Sequence, residues 1–196
     1  MNLLQTVQEV KEQRFLLSGV TWEQYETLRS TLDESHSGLR MFYLEGMLEL
    51  FMPSRDHELN KTTFGRLLEY FGLEKNIRLY GYGSTTYRNR AKERGLEPDE
   101  SYAVGTQKEI PDIAIEVIIT SGLLDKLEIY RGLGVGEVWV WQEGQLLIYR
   151  LRDDQYEQIP RSEFLPELDL ALLIECAAIP DQHDAVTAFR DALRSQ

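Results

Sequence analysis

Cysteine is almost missing from this chain of 196 residues. The single copy, Cys176, excludes an internal disulfide and a cysteine-built metal site within one chain, and it is expected to pack in the core of a C-terminal segment. Long apolar runs are missing as well. No stretch approaches a membrane span, and residues 1–15 lack the apolar core of a signal peptide, so a soluble, cytoplasmic protein with no membrane partner is expected. Positive charge is scarce: Lys and Arg number 21 against 33 Asp and Glu, a net charge of −12. That argues against a sequence-independent clamp on phosphates and leaves room only for a local basic cleft. Repeats, low-complexity tracts and long linkers are absent, which favours a single domain over residues 1–196. At 42% hydrophobic, the chain can build a real core.

What is present centres on residues 110–141. Residues 113–119 form a β-branched run interrupted only by Ala114 and Glu116, the pattern of a strand buried on both faces. Thr120-Ser121-Gly122 breaks it, Leu123, Leu127, Tyr130 and Leu133 recur at helical spacing, and Gly132 and Gly134 stop the helix. An apolar run over 135–141 follows, completing a strand–helix–strand unit and an at least partly parallel sheet. Glu116 is the anomaly. An unpaired buried carboxylate costs several kcal/mol or more, so it needs a cation, a hydrogen-bond partner or a proton. Asp112 shares its strand face but lies roughly 13 Å away, too far to hold the same metal ion, and is assigned to a turn or strand start.

Earlier in the chain, Thr21 and Gln24 form a capping box before a helix with Tyr25 and Leu28 facing inward. Residues 40–44 and 47–52 read as a hairpin around Glu45-Gly46. Ser54 or Asp56 caps a helix running to about Phe71, with Leu59, Thr63, Leu67 and Tyr70 inside and with His57 and Glu58 in its first turn. Residues 77–87 alternate enough for a strand. Arg88, Arg90, Lys92 and Arg94 are the most basic stretch, suited to phosphate contact or to a solvated loop. Residues 96–104 suggest a short strand starting at Pro98, with Asp99 at its beginning. If it pairs beside the Glu116 strand, the two carboxyls converge across about 5 Å, and two hard oxygen donors with room for water suit Mg²⁺ or Mn²⁺.

Pro98-Asp99, then Pro111-Asp112, Glu116-Val117, Ser121, Lys126, Tyr130, Gly134-Val135, Glu137 and Trp139, in this order and spacing, resemble the Uma-two family of restriction-type endonucleases within the PD-(D/E)XK nuclease superfamily. The Glu45-Gly46 hairpin and the Pro53-Ser54 to His57-Glu58 stretch resemble it too, over roughly residues 42–151, and Arg161-Ser162-Glu163-Phe164-Leu165-Pro166 with residues 168–173 resembles its usual ending. The resemblance implies an α/β, restriction endonuclease-like mixed β-sheet flanked by helices, with an added N-terminal helix and β-hairpin. A helical extension (1–40), a nuclease core (41–151) and a C-terminal extension (152–196) follow from it.

Carried over by position, the resemblance makes Asp99 and Glu116 the acidic pair. The lysine usual two residues beyond the second acid is absent, since Ile118 stands there, and Lys126 matches members in which that lysine has moved to the following helix. Asp99, Glu116 and the Val117 carbonyl would hold Mg²⁺, with Mn²⁺ as substitute. One of Glu45, Glu49, His57 or Glu58 would complete the site, with His57 and Glu58 ranked first. The implied activity is metal-dependent hydrolysis of nucleic-acid phosphodiesters, most of all in DNA, by a homodimer. Two other readings keep the fold: a catalytically silent binding or scaffold protein, which the acidic surface favours, and a metal-dependent hydrolase of a small phosphoester.

Overall fold

A computed structural model describes residues 12–32, 38–120, 122 and 124–195. Ser121 and Leu123, read above as parts of a strand break and a helical stripe, lie outside these residues, as does 1–11. The described chain opens with a strand not anticipated from sequence, β1 (Gln13–Ser18), followed by helix α1 (Trp22–Leu32). The capping box is formed: the Gln24 N–H donates to Thr21 Oγ1 at 3.2 Å and the Thr21 N–H donates to Gln24 Oε1 at 2.8 Å. The hairpin falls on its expected residues, β2 (Arg40–Leu44) and β3 (Met47–Met52). Its turn residues Glu45 and Gly46 both take positive φ, 45° and 85°, as tight hairpin turns require.

Ser54 caps α2 (Arg55–Glu74), accepting the His57 N–H at 3.2 Å. The helix ends three residues later than expected, and its core face is Thr63, Phe64, Leu67, Leu68 and Phe71. Leu59, expected inside, is 43% exposed because that stripe is rotated away from it. The single strand expected over 77–87 is instead two short ones, β4 (Leu79–Gly81) and β5 (Tyr87–Asn89). Gly83, with φ 56°, lies between them, and they join different sheets.

Next come β6 (Arg94–Leu96), β7 (Glu100–Val104) and β8 (Ile113–Ile118). The strand expected over 96–104 is thus divided: Leu96 ends β6, and Asp99 stands just before β7. Helix α3 (Lys126–Leu133) then returns the chain to β9 (Glu137–Gln142), which pairs with β8 in parallel. Asp125 caps α3 by accepting the Glu128 N–H at 3.3 Å, and Gly134 closes it in the left-handed conformation. Gly132 does not stop the helix: it lies inside α3, against the aliphatic stem of Arg94, where a β-carbon would collide. The chain ends with β10 (Gln145–Arg152), β11 (Gln155–Ile159), α4 (Leu170–Ala177) and α5 (Gln182–Arg194).

Among the described residues the strands form two sheets, ordered β11-β10-β9-β8-β7-β4 and β1-β3-β2-β6-β5. Side chains alternate along β8, and the two faces meet different partners. Ile113, Ile115 and Val117 pack with Phe64, Leu68 and Phe71 of α2 and with Cys176 and Phe189 of the C-terminal helices. Ala114 of the opposite face packs with Ile129 and Tyr130 of α3 and with Phe42 and Phe51 of the second sheet. Glu116 shares that second face, so it points between α3 and the hairpin.

Candidate active site

Asp99 and Glu116 are each only 1% exposed. Asp99 donates its backbone N–H to the Ile115 carbonyl at 3.1 Å, so the chain already runs beside β8 before β7 begins. Its Oδ2 accepts the Val117 N–H at 2.6 Å, which brings one acid against the residue following the other. The Asp99 Oδ1 atom meets the Arg40 guanidinium and lies 2.8 Å from His57 Nε2. On Glu116, Oε2 accepts from Lys126 Nζ at 2.6 Å and Oε1 accepts from the Tyr130 hydroxyl. The Lys126 ammonium also sits over the Phe42 ring, 3.9 Å from its centroid, a favourable cation–π contact.

A second rank of ionisable groups lies behind these. His57 Nδ1 is 3.0 Å from Glu12 Oε1, and Glu12 also accepts from the N–H and hydroxyl of Thr120. Glu49, fully buried, accepts from Arg14 at 2.7 Å and from the Leu124 N–H at 3.0 Å. The Arg14 guanidinium lies 3.8 Å above the Phe51 ring. Burial pushes His57 down to about 3, helped by Arg40, Lys126, Arg14 and Lys61. Its two carboxyl neighbours pull the other way, but burial and four cations outweigh them, and the imidazole is neutral at physiological pH. Burial and the Glu116 carboxyl beside it keep Tyr130 protonated, well above an ordinary phenol.

These assignments test whether the pocket suits a divalent cation. Four buried carboxyl groups, from Glu12, Glu49, Asp99 and Glu116, face three cations, from Arg14, Arg40 and Lys126. A neutral imidazole carries one N–H, yet His57 presents a ring nitrogen to a carboxyl oxygen on each side, so one of those contacts has no proton to share. Both the excess of carboxyl groups and the unshared lone pairs fit a cation. Among the described residues no three His, Cys, Asp or Glu side chains form a ready metal cage. Mg²⁺ needs none, being held typically by one or two carboxylates with waters and substrate phosphates.

The other anticipated residues fall elsewhere. Glu58 does not touch either acid: it accepts from Arg40 at 2.7 Å and pairs with Lys61 at 2.5 Å. Glu45 is a turn residue paired with Arg94 at 2.7 Å. Asp112 is structural, accepting the Val104 N–H at 2.7 Å and pairing with Lys108 at 2.6 Å. Of the basic stretch, Arg88, Arg90 and Lys92 are solvated, with Arg88 and Arg90 paired to Glu26 and Glu23, while Arg94 is buried and pairs with Glu45. Glu12, Arg14 and Arg40 are not anticipated from sequence, and Tyr130 enters there as part of a helix stripe and of the family resemblance, without a role in the site. Its signal was available, because Lys126 and Tyr130 stand four apart on α3 and so share a face.

Residues 22–180 match the family model "Uma2: Putative restriction endonuclease". The chain belongs to the Uma2 family. Comparison with curated proteins found no match. Uma2 membership carries the restriction endonuclease-like α/β fold, in which the βαβ unit and its flanking helices take their places, and it connects the chain with nuclease activity. Restriction endonuclease-like families generally use a divalent metal ion. No helix among the described residues is long and apolar enough to cross a membrane.

Proposed function

We propose that this Uma2 chain is a Mg²⁺-dependent endonuclease that hydrolyses phosphodiester bonds of nucleic acid, DNA above all, with Mn²⁺ able to substitute. It works as one cytoplasmic domain, 1–40 and 152–196 flanking the 41–151 core, and as a homodimer. The observation that carries this reading is the pair of sealed acids, Asp99 and Glu116, with the Lys126 ammonium 2.6 Å from the second.

In this reading Asp99, Glu116 and the Val117 carbonyl would hold the metal ion. When bound, it lowers the pKa of a coordinated water and offsets charge building on the phosphate. Glu116 would offer the ion the oxygen that now accepts from Lys126, while Tyr130 holds its other oxygen in place. Lys126, over Phe42, would then have its ammonium free for the attacking water and the phosphate oxygens. Arg40 and neutral His57 fix Asp99 from the side opposite Val117, and Glu58 restrains Arg40 from behind.

A second reading has a specific observation behind it. Each Asp99 and Glu116 carboxyl oxygen already has a protein partner, and the net charge is −12, as suits a silent scaffold. Mn²⁺ titration by calorimetry or electron paramagnetic resonance separates the two. The nuclease reading expects one saturable site lost in both Asp99→Asn and Glu116→Gln, followed by Mg²⁺-dependent cutting in a broad nucleic-acid screen. No binding at millimolar Mn²⁺, with nucleic acid present or absent, overturns it.

A further inference from the structure

Helix α3 spans only Lys126–Leu133, too short to cover the sheet beneath it. Val140, Leu147 and Tyr149 remain half-buried on that face. The strand register carries a row straight out from the site: Glu116 lies opposite Val140, and Val140 opposite Leu147. With Leu124 and Tyr149 these side chains line a slot of about 250 Å³ that also has Glu116 and Lys126 in its wall. Drug-sized ligands occupy roughly 300–1,000 Å³. This slot is smaller, flat-floored by a sheet, and continuous with the candidate site.

Its charge is nearly balanced. Lys126 is matched by Glu116 at 2.6 Å and Arg14, also in the wall, by Glu49 at 2.7 Å, while Asp125 adds one further acid to the lining. Gln142 adds an amide, one group able both to donate and to accept. A neutral heterocycle with polar edges fits the apolar floor of such a slot, with the phosphate left to Lys126 in its wall. A base in a duplex is stacked on both sides and has to be flipped out at a cost before it can enter. Both duplex and single strands need basic surface along their phosphates; only in a single strand are the bases already exposed to aromatic and apolar side chains.

We infer that the slot beside Lys126 seats one unpaired nucleobase next to the scissile phosphate, which makes single-stranded nucleic acid the substrate class. This rests on the nuclease reading for what is cut, but its test does not depend on cutting. Fluorescence anisotropy of a labelled single-stranded oligonucleotide and of its duplex, with Ca²⁺ replacing Mg²⁺, measures the affinity of wild-type protein, Tyr149→Leu and Leu147→Trp. The single strand is expected to bind at least about tenfold more tightly than the duplex. Losing the aromatic face or filling the slot should weaken it about tenfold, the scale of one base–aromatic stack. Thermal melting and Mn²⁺ binding confirm that each variant is folded with its acids in place, and two variants guard against one failing to fold.

Equal or tighter binding of duplex, or wild-type affinity in both folded variants, overturns the inference. So does undiminished cutting of duplex by Leu147→Trp, which leaves the nuclease reading standing. Slot-dependent binding of single strands with no hydrolysis in Mg²⁺ supports the slot and removes the nuclease reading instead.

Discussion

Glu116 and Glu137 sit on neighbouring parallel strands, each sealed from solvent, yet their carboxyl groups are satisfied by different chemistry. Glu137 accepts the Trp139 indole N–H at 2.9 Å, the Ser162 hydroxyl at 2.8 Å and the Glu163 backbone N–H at 2.7 Å. All are neutral donors on packed groups, and together they tie the C-terminal segment to the sheet. Glu116 instead accepts from one packed phenol and one ammonium at the end of a long side chain. The first arrangement leaves nothing that can be exchanged. In the second, a flexible cation occupies ground that another cation can take. A buried acid is therefore informative about function through the kind of partner it has, more than through its burial.

The comparison can be broken most decisively at Glu116. Glu116→Gln keeps the shape of the side chain and is expected to lower cleavage by at least about 10³-fold while circular dichroism stays native; retained cutting would make Glu116 as structural as Glu137. Next in size is Lys126→Ala, for which turnover should fall about 10²-fold with Mn²⁺ affinity maintained. An unchanged rate would return Lys126 to the role of a charge partner. On the structural side, Glu137→Gln replaces an acceptor oxygen by an NH₂ group and strands a buried donor. Urea unfolding should show a loss of about 1–3 kcal/mol, with Mn²⁺ binding intact, and loss of the metal site would erase the distinction between the two glutamates. Smallest is Asp112→Asn, which forfeits the pairing with half-exposed Lys108 but keeps an acceptor for Val104. It should cost about 1 kcal/mol and leave Mn²⁺ binding alone.

How much of this could be read beforehand followed the reach of each signal along the chain. The hairpin was legible because Glu45-Gly46 carries its own turn chemistry, and Glu116 because a carboxylate stands out in a β-branched run. Lys126 needed only the adjoining helix and a family resemblance. Arg40 was hidden because it meets Asp99 across 59 positions, with nothing in the hairpin sequence to mark one strand-end arginine as buried. Strand β1 escaped for a different reason. As an edge strand with Phe15, Leu16 and Leu17 40–60% exposed, it lacks the alternation that a half-buried strand shows. Residues 77–87 misled through alternation that was real but was shared between two strands of different sheets.

The hairpin of β7 and β8 has a consequence for how the site comes into being. Asp99 reaches Val117 over 18 positions, whereas His57 reaches Asp99 over 42 and Arg40 over 59. Short loops close at lower entropic cost and earlier, so during folding Lys126, ten positions from Glu116, and the Asp99–Val117 contact are expected to form before His57 and Arg40 reach Asp99. For that interval Asp99 has no arginine or histidine against it, and a divalent ion captured then would act as a folding partner as well as a later aid to chemistry.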